Sequence, residues 1–397
     1  MKLKTLAYLL LLCLPILAGK AQSGNGLAPE VTDLNAKDVS YEKEKGLTYL
    51  KKPFISLAPR EKKDQLQVGT LGKDGGDKKL VLKYARILAE KSEDPKSGKT
   101  DSLLIAYKGK LLFESYFRRG RANYPHYQMS ITKSYTTMAL GRAMQLGYLS
   151  MEDLDKPVLS FLKKLDASKL AKGADKITLH EAMHMSSGIR LPKKKINQLI
   201  DRPERLLGQG QIQAYLQFSS PIPPYPRDFK YQASDPSITM QVLQSVVPGS
   251  AEDFIRDELL KPMGILTYHW QEDLSGLPKS AAGSSVLSRD MIKMGLLVLG
   301  GGNWNGKRHL PEKFLKKATS ALVQTSPSSH YGYFWWRQTW EIGDAKYPCI
   351  QGRGAGGQFI FVLPTLELVI VATAHNKGMG KMLWGIPGYL IPAFNAK

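Results

Sequence analysis

The chain has 397 residues, 43% of them hydrophobic and 9% aromatic, and its 56 Lys and Arg against 35 Asp and Glu give a formal charge of +21. This composition is that of a globular protein, with length enough for one large domain or two ordinary ones. The basic residues are dispersed, without a basic run interleaved with aromatics or a recognisable nucleic-acid module. The charge therefore reads as solvated surface, with loose attraction to acidic polymers as its minor consequence.

At the N-terminus, Lys2 and Lys4 precede the apolar run Leu9 to Leu17, and Ala18-Gly19-Lys20-Ala21 follows as a small-residue cleavage region. Residues 1–21 are thus expected to be a secretory signal peptide, cut after Ala21, and the protein to be secreted or periplasmic. Loss of Lys2, Lys4 and Lys20 lowers the charge from +21 to +18. The apolar run is short for a membrane span, Cys13 lies inside it rather than after a small-residue pair, and no transmembrane segment is expected elsewhere. Cys349 is then the sole cysteine, so no internal disulfide forms; it is expected to be a small buried hydrophobe.

Residues 22–76 are polar and Lys-rich, and are read as a loosely packed arm closed by Gly72 to Asp77; residues 77–397 are read as the folded domain. Leu80 to Ser92 carries a helical pattern. The runs Ser102–Tyr107 and Lys110–Phe117 flank Lys108-Gly109 as a hairpin does. A helix follows. Ile131, Tyr135, Ala139, Ala143 and Leu146 recur at helical spacing, and Gly147 stands where a C-terminal glycine belongs.

Ser130-Ile131-Thr132-Lys133 opens this amphipathic helix. Residues three apart share a helix face, so the lysine reaches the serine. A hydroxyl is a poor nucleophile until a neighbour takes its proton, and a lysine kept partly neutral by burial does this. Ser130 lies in the first turn, where free N–H groups and the positive dipole end gather. The pattern recurs at Ser160-Phe161-Leu162-Lys163, in a short basic stretch after Pro157 that recommends no chemistry.

Residues 148 to about 325 read as mostly helical with long loops, one marked by Pro221, Pro223, Pro224 and Pro226. His180-Glu181-Ala182-Met183-His184 is a literal H-E-x-x-H, which on a helix sets two imidazoles one turn apart with a glutamate to activate water. The extended form fails, since Ser187 and Arg190 occupy its Gly and His positions. Glu204 is a distant third ligand in a charged, proline-containing stretch. A zinc peptidase is therefore the weaker reading. Strand-like runs return at Tyr331–Thr339, Gln358–Leu363 and Leu366–Ala374, which suggests a sheet closed by both ends of the chain around a helical insertion.

The Ser130 segment and its surroundings resemble the serine β-lactamase-like superfamily: class C β-lactamases, D-alanyl-D-alanine carboxypeptidases, family VIII esterases and 6-aminohexanoate-dimer hydrolases. The likeness covers about residues 80 to 390. Its blocks are Leu104–Leu111, Ser130–Ser134, Gly147–Leu149, Asp153–Leu162, Thr178–Ile189, Ala281–Ser284, Leu287–Asp290 and Gly301–Lys307. Tyr331–Trp336 and Gly354–Gln358 complete it, and these two with Gly301–Lys307 most resemble the 6-aminohexanoate-dimer hydrolase and esterase branch. The block at Thr178 turns the apparent zinc motif into an ordinary family helix.

The resemblance implies an α/β sandwich, an antiparallel sheet with flanking helices and an inserted helical region. It implies no metal or cofactor. Ser130 would be the nucleophile, and Lys133 with Tyr231 of Tyr231-Gln232-Ala233 the proton relay. Tyr231 would act as a phenolate stabilised by nearby cations such as Lys133. The backbone N–H groups of Ser130 and Ala355, the latter beside an edge strand, would form the oxyanion hole, and Arg353, Gly354 and Trp335 would meet the substrate. Tyr331, Tyr333 and Trp336 would line the site or the core beneath it. Two departures stand out. Ala233 replaces a hydrogen-bonding Asn or Ser, and Gly352-Arg353-Gly354 replaces Lys-Thr-Gly or His-Thr-Gly. They point to carboxylesters or small amides as substrates, with a β-lactamase or D-Ala-D-Ala-type peptidase acting on cell-wall fragments as the alternative. A catalytically dead member acting as a binding protein is the remaining class, opposed by the intact Ser130, Lys133 and Tyr231.

Overall fold

The computed structural model describes residues 26–35, 38–90, 99–380 and 382–395, and the expected signal peptide, with Cys13, lies outside them. The lead, expected as a loose arm, instead packs onto the domain. It supplies α1 (Tyr41–Gly46), β1 (Phe54–Ser56) and β2 (Gln67–Val68), and its Leu66 and Leu71 are buried. Its apolar residues are too widely spaced to show a period, and they act singly as plugs.

Then come α2 (Lys78–Ala89), β3 (Thr100–Tyr107), β4 (Lys110–Tyr116), β5 (His126–Tyr127) and α3 (Ile131–Gln145). The middle of the chain forms α4 (Leu179–Met183), α5 (Lys193–Ile200), α6 (Gly210–Phe218), α7 (Ser234–Val246) and α8 (Ala251–Phe254). After these and their short helical turns come β6 (Tyr268–Trp270) and β7 (Ser284–Val286), which join β5 in a small sheet of order β5-β7-β6. Next are α9 (Ser288–Leu299), the hairpin β8 (Asn303–Trp304) and β9 (Lys307–Arg308), and α10 (Glu312–Ala318). The chain closes with β10 (Val323–Ser326), β11 (Ser329–Tyr331), β12 (Trp336–Ile342), β13 (Ala345–Gly354), β14 (Gln358–Leu363), β15 (Leu368–Ala374), α11 (Met382–Gly385) and α12 (Ile391–Asn395).

The main sheet runs β1-β4-β3-β15-β14-β13-β12-β11-β10, with β2 beside β4, and all pairs but β2–β4 are antiparallel. The pairing of β3 with β15 closes the sheet with both ends of the chain. Side chains alternate across a strand. Leu103, Ile105, Phe359, Phe361 and Ile370 therefore meet α2, α11 and α12 on one face, and Leu104, Ile360, Val362, Val369 and Val371 meet the larger helical layer on the other. With both faces covered, these strands read as continuous apolar runs rather than alternating ones. On the larger side α9 comes so near the sheet that a Cβ on Gly295 would stand 2.4 Å from Val369 Cγ1.

Three expectations change. The helix after Ser130 is buried nearly all round instead of on one face. Its hydroxyls make this tolerable: Ser134 Oγ donates to Phe334 O at 2.7 Å and Thr137 Oγ1 to Tyr333 O at 2.8 Å. The strand expected over Tyr331–Thr339 is two, parted by a loop at 332–335. The strand leading to Ala355 is interior, between β12 and β14, and not an edge.

Candidate active site

Ser130 caps α3 and follows Met129, whose φ of 50° is an uncommon conformation for a residue with a side chain. The reversal turns the chain from β5 into the helix at the serine. Lys133, one turn on, brings Nζ to 3.0 Å from Ser130 Oγ and donates to Ala281 O at 2.6 Å. Its side chain is buried, and among the described residues desolvation alone moves its pKa, pushing the amine down to about 7.

Tyr231 closes the other side. Lys133 Nζ lies 4.7 Å from the centre of its ring. Burial raises the phenol's pKa, and a hydrogen bond to Ser130 only partly opposes that. A phenolate stabilised by cations would need a lowered pKa, and the shift here runs the other way. An amine and a phenol thus flank the Ser130 hydroxyl.

Asp235 fixes the loop bearing Tyr231. Its buried carboxyl takes bonds from Ser187 Oγ at 2.8 Å, Gln232 Nε2 at 2.7 Å and Ser234 Oγ at 2.9 Å, and desolvation lifts it to about 6. This joins the Ser186-Ser187-Gly188 turn to the segment 231–234, a connection no spacing in the sequence announces.

Gly354 ends β13 against the loop before the serine, where a Cβ would lie 2.4 Å from Gln128 O, so glycine alone permits the approach. The turn beyond carries Ala355, exposed, with its carbonyl held by Gln358 Nε2 at 3.2 Å. Among the described residues neither the Ser130 N–H nor the Ala355 N–H donates to a protein acceptor. Arg353 lies with its guanidinium 5.0 Å from the Trp336 ring, bonded to Gln351 and Gln338, and burial lowers it to about 10, which leaves it cationic.

Trp335 does not meet substrate. It is 1% exposed and packs beneath Gly352, because adjacent residues face opposite ways where the loop enters β12. Trp336 takes the site side, stacked on Tyr231 at 5.8 Å. Tyr331 and Tyr333 are core.

The two histidines of the H-E-x-x-H serve the core instead. His180 Nδ1 meets the Tyr333 hydroxyl, and His184 Nδ1 meets His180 O at 2.6 Å. Glu181 caps its own helix with Thr178 and pairs with buried Arg227. Among the described residues no third ligand joins the pair, and Glu204 stands apart in its own 3-10 turn.

A cavity of about 400 Å³ adjoins this centre through Ala281, whose carbonyl accepts from Lys133, and Ala233, Ser237, Ser280, Tyr215 and Lys279 also line it. A family model, Beta-lactamase, matches residues 92–382, well over half of the chain. The chain belongs to the beta-lactamase family. A family member of this kind is a hydrolase of small-molecule substrates, and no helix among the described residues is long and apolar enough to cross a membrane.

Solved structures share the fold at low identity. One described as a 6-aminohexanoate-dimer hydrolase from Bacillus anthracis is 18% identical, with TM-score 0.63 over 90% of this chain and 92% of that one. A class C beta-lactamase in complex with cefoxitin is 16% identical, with TM-score 0.62 over 79% and 98%. A D-stereospecific amidohydrolase from Streptomyces sp. is 16% identical, with TM-score 0.56 over 78% and 97%. A search of curated proteins finds no match.

Proposed function

We propose that this beta-lactamase-family protein is a serine hydrolase that cleaves carboxylesters or small amides through an acyl-enzyme on Ser130. The observation that carries this is the 3.0 Å contact between Ser130 Oγ and a buried Lys133 amine, which desolvation pushes down to about 7. The amine takes the serine proton as Oγ attacks the carbonyl carbon. The N–H groups of Ser130 and Ala355 receive the oxyanion, each such donor contributing about 3 kcal/mol in other enzymes. Tyr231 gives its proton to the leaving group and recovers one from Lys133. Water then enters, and the same groups return the serine.

The substrate class is drawn from the two departures. Ala233 offers no hydrogen bond to an amide and opens onto the 400 Å³ cavity, which favours esters and small amides. The cationic Arg353 beside Trp336 favours a substrate bearing a carboxylate, and cell-wall fragments ending in one are the second reading. A signal peptide over 1–21 would put either activity outside the cytoplasm.

The test is turnover of p-nitrophenyl acetate and butyrate by wild type and Ser130→Ala, with intact mass measured after an acid quench. A burst, with one acyl group retained on wild type and none on the variant, is expected. Undiminished turnover by Ser130→Ala would sink the proposal.

A further inference from the structure

Three side chains that no motif links converge behind the Ala355 turn. Glu44 comes from α1, His126 from β5 just before Ser130, and His375 from the residue after β15. One ligand-capable atom of each lies within 4.8 Å of the others. The Glu44 side chain is 2% exposed and both imidazoles 8%.

The outer nitrogen of each imidazole is already committed. His375 Nδ1 bonds Asp101 Oδ2 at 2.6 Å, and Asp101 Oδ1 accepts from Arg119 N, so the carboxylate accepts and the ring donates. His126 Nε2 meets Gln358 Oε1 at 2.7 Å. That oxygen also accepts from Ala374 N, while Gln358 Nε2 donates to Ala355 O and Ala374 O, which fixes the amide's orientation. His126 Nε2 must therefore carry its proton.

The inner nitrogens then point lone pairs at a carboxylate. His126 Nδ1 touches Glu44 Oε1, and His375 Nε2 stands 3.7 Å from the same oxygen. A proton on His126 would answer the first contact. It would leave His375 Nε2, which is buried without a hydrogen-bond partner, facing the anion unrelieved. A cation between the three atoms answers both.

We propose that Glu44, His126 and His375 bind a divalent metal ion of the zinc type. Two imidazoles and a carboxylate are zinc donors, and bonds of about 2.0–2.2 Å set tetrahedral ligands roughly 3.3 Å apart; His375 Nε2 stands 3.7 Å from Glu44 Oε1, and the closer His126–Glu44 contact would open to admit the ion. Asp101 and Gln358 hold the outer nitrogens, as carboxylates and carbonyls commonly do for metal-bound histidines. The ion ties α1 to the ends of β5 and β15. Through Gln358, and through Asn376 N bonded to Gly356 O at 2.9 Å, it braces the turn that presents Ala355. Such a site would bind its ion whether or not Ser130 forms an acyl-enzyme.

The test is calorimetric titration of chelator-treated protein with zinc chloride, followed by thermal unfolding with and without the metal. One equivalent binds wild type and raises its midpoint. Glu44→Gln and His375→Gln lose the binding, Asp101→Asn weakens it on the order of tenfold, and His184→Ala keeps it. The absence of saturable binding to folded wild type overturns the site, a result that needs no variant to fold. So does binding that persists in both Glu44→Gln and His375→Gln, or that disappears with His184→Ala.

Discussion

Ser130 and Ser160 each stand three residues before a lysine, yet Lys133 reaches its serine at 3.0 Å while Ser160 gives its hydroxyl to Pro157 O at 2.7 Å. The difference lies in the chain beyond each serine. Ser130 leads into fifteen residues of buried helix, so the lysine projects along the same face and loses its water. Ser160 closes a three-residue turn, and Lys163 remains in solvent. The same three-residue spacing gives a buried serine–lysine contact in one setting and a surface turn in the other. Continuation and burial of the helix separate them.

The comparison breaks most readily at the serines. Ser130→Ala should lower p-nitrophenyl ester turnover by on the order of 10³-fold or more, against no change for Ser160→Ala. Undiminished turnover by Ser130→Ala would mean that Ser130 is not the nucleophile, and a loss in Ser160→Ala as large would erase the distinction between the two serines. At the lysines, Lys133→Ala should cost roughly 10²–10⁴ in acylation rate, and Lys163→Ala nothing.

The pH profile sharpens this further. Lys133 is held at about 7, far below the ordinary 10.5, so acylation should rise as pH passes about 7 and the amine becomes able to accept a proton. The stability effect has the same sign. Between about 7 and 10.5 the unfolded chain binds a proton that the native lysine does not, so Lys133 makes stability rise with pH across that window. Denaturant midpoints of wild type and Lys133→Met, taken at pH 7 and pH 9, should show the rise in the first and lose it in the second.

The smallest expected effect concerns the burial of the helix itself. Thr137→Val strands the buried Tyr333 carbonyl and should cost about 1–3 kcal/mol in urea unfolding, with Ser134→Ala acting on Phe334 O in the same range. Neither should alter the ester reaction's pH limb.

The residues that were legible in the sequence are those whose partners are near in the chain or whose pattern is periodic. The hairpin around Lys108-Gly109, the run Gln358–Leu363 and the Ser130 helix with Gly147 at its end belong here. β13 was harder to read because Pro348, Gly352 and Gly354 depress strand propensity, while the strand's neighbours on both sides hold it in place. Trp335 and Trp336 were indistinguishable as letters, since one residue of register decides which enters the core. The helix at Thr178 resembled a metal site because its histidines keep the spacing, and the fold spends its glutamate on Thr178 and Arg227. Glu44, His126 and His375 resembled nothing, because the sheet alone brings the lead, the nucleophile loop and the last strand to one point.

Trp336 lies with the Arg353 guanidinium 5.0 Å from its ring and the Tyr231 ring stacked at 5.8 Å, and Tyr231 in turn lies 4.7 Å from the Lys133 ammonium nitrogen. An indole in that position is sensitive to charge arriving or leaving on either side. The chain thus carries an optical reporter of its own chemistry: emission from Trp336 should change as Lys133 gains a proton or as a carboxylate settles on Arg353. The other five tryptophans, the core-bound Trp335 among them, supply the background, and a Trp336→Phe variant subtracts it, so that stopped-flow fluorescence can follow single turnovers without a label.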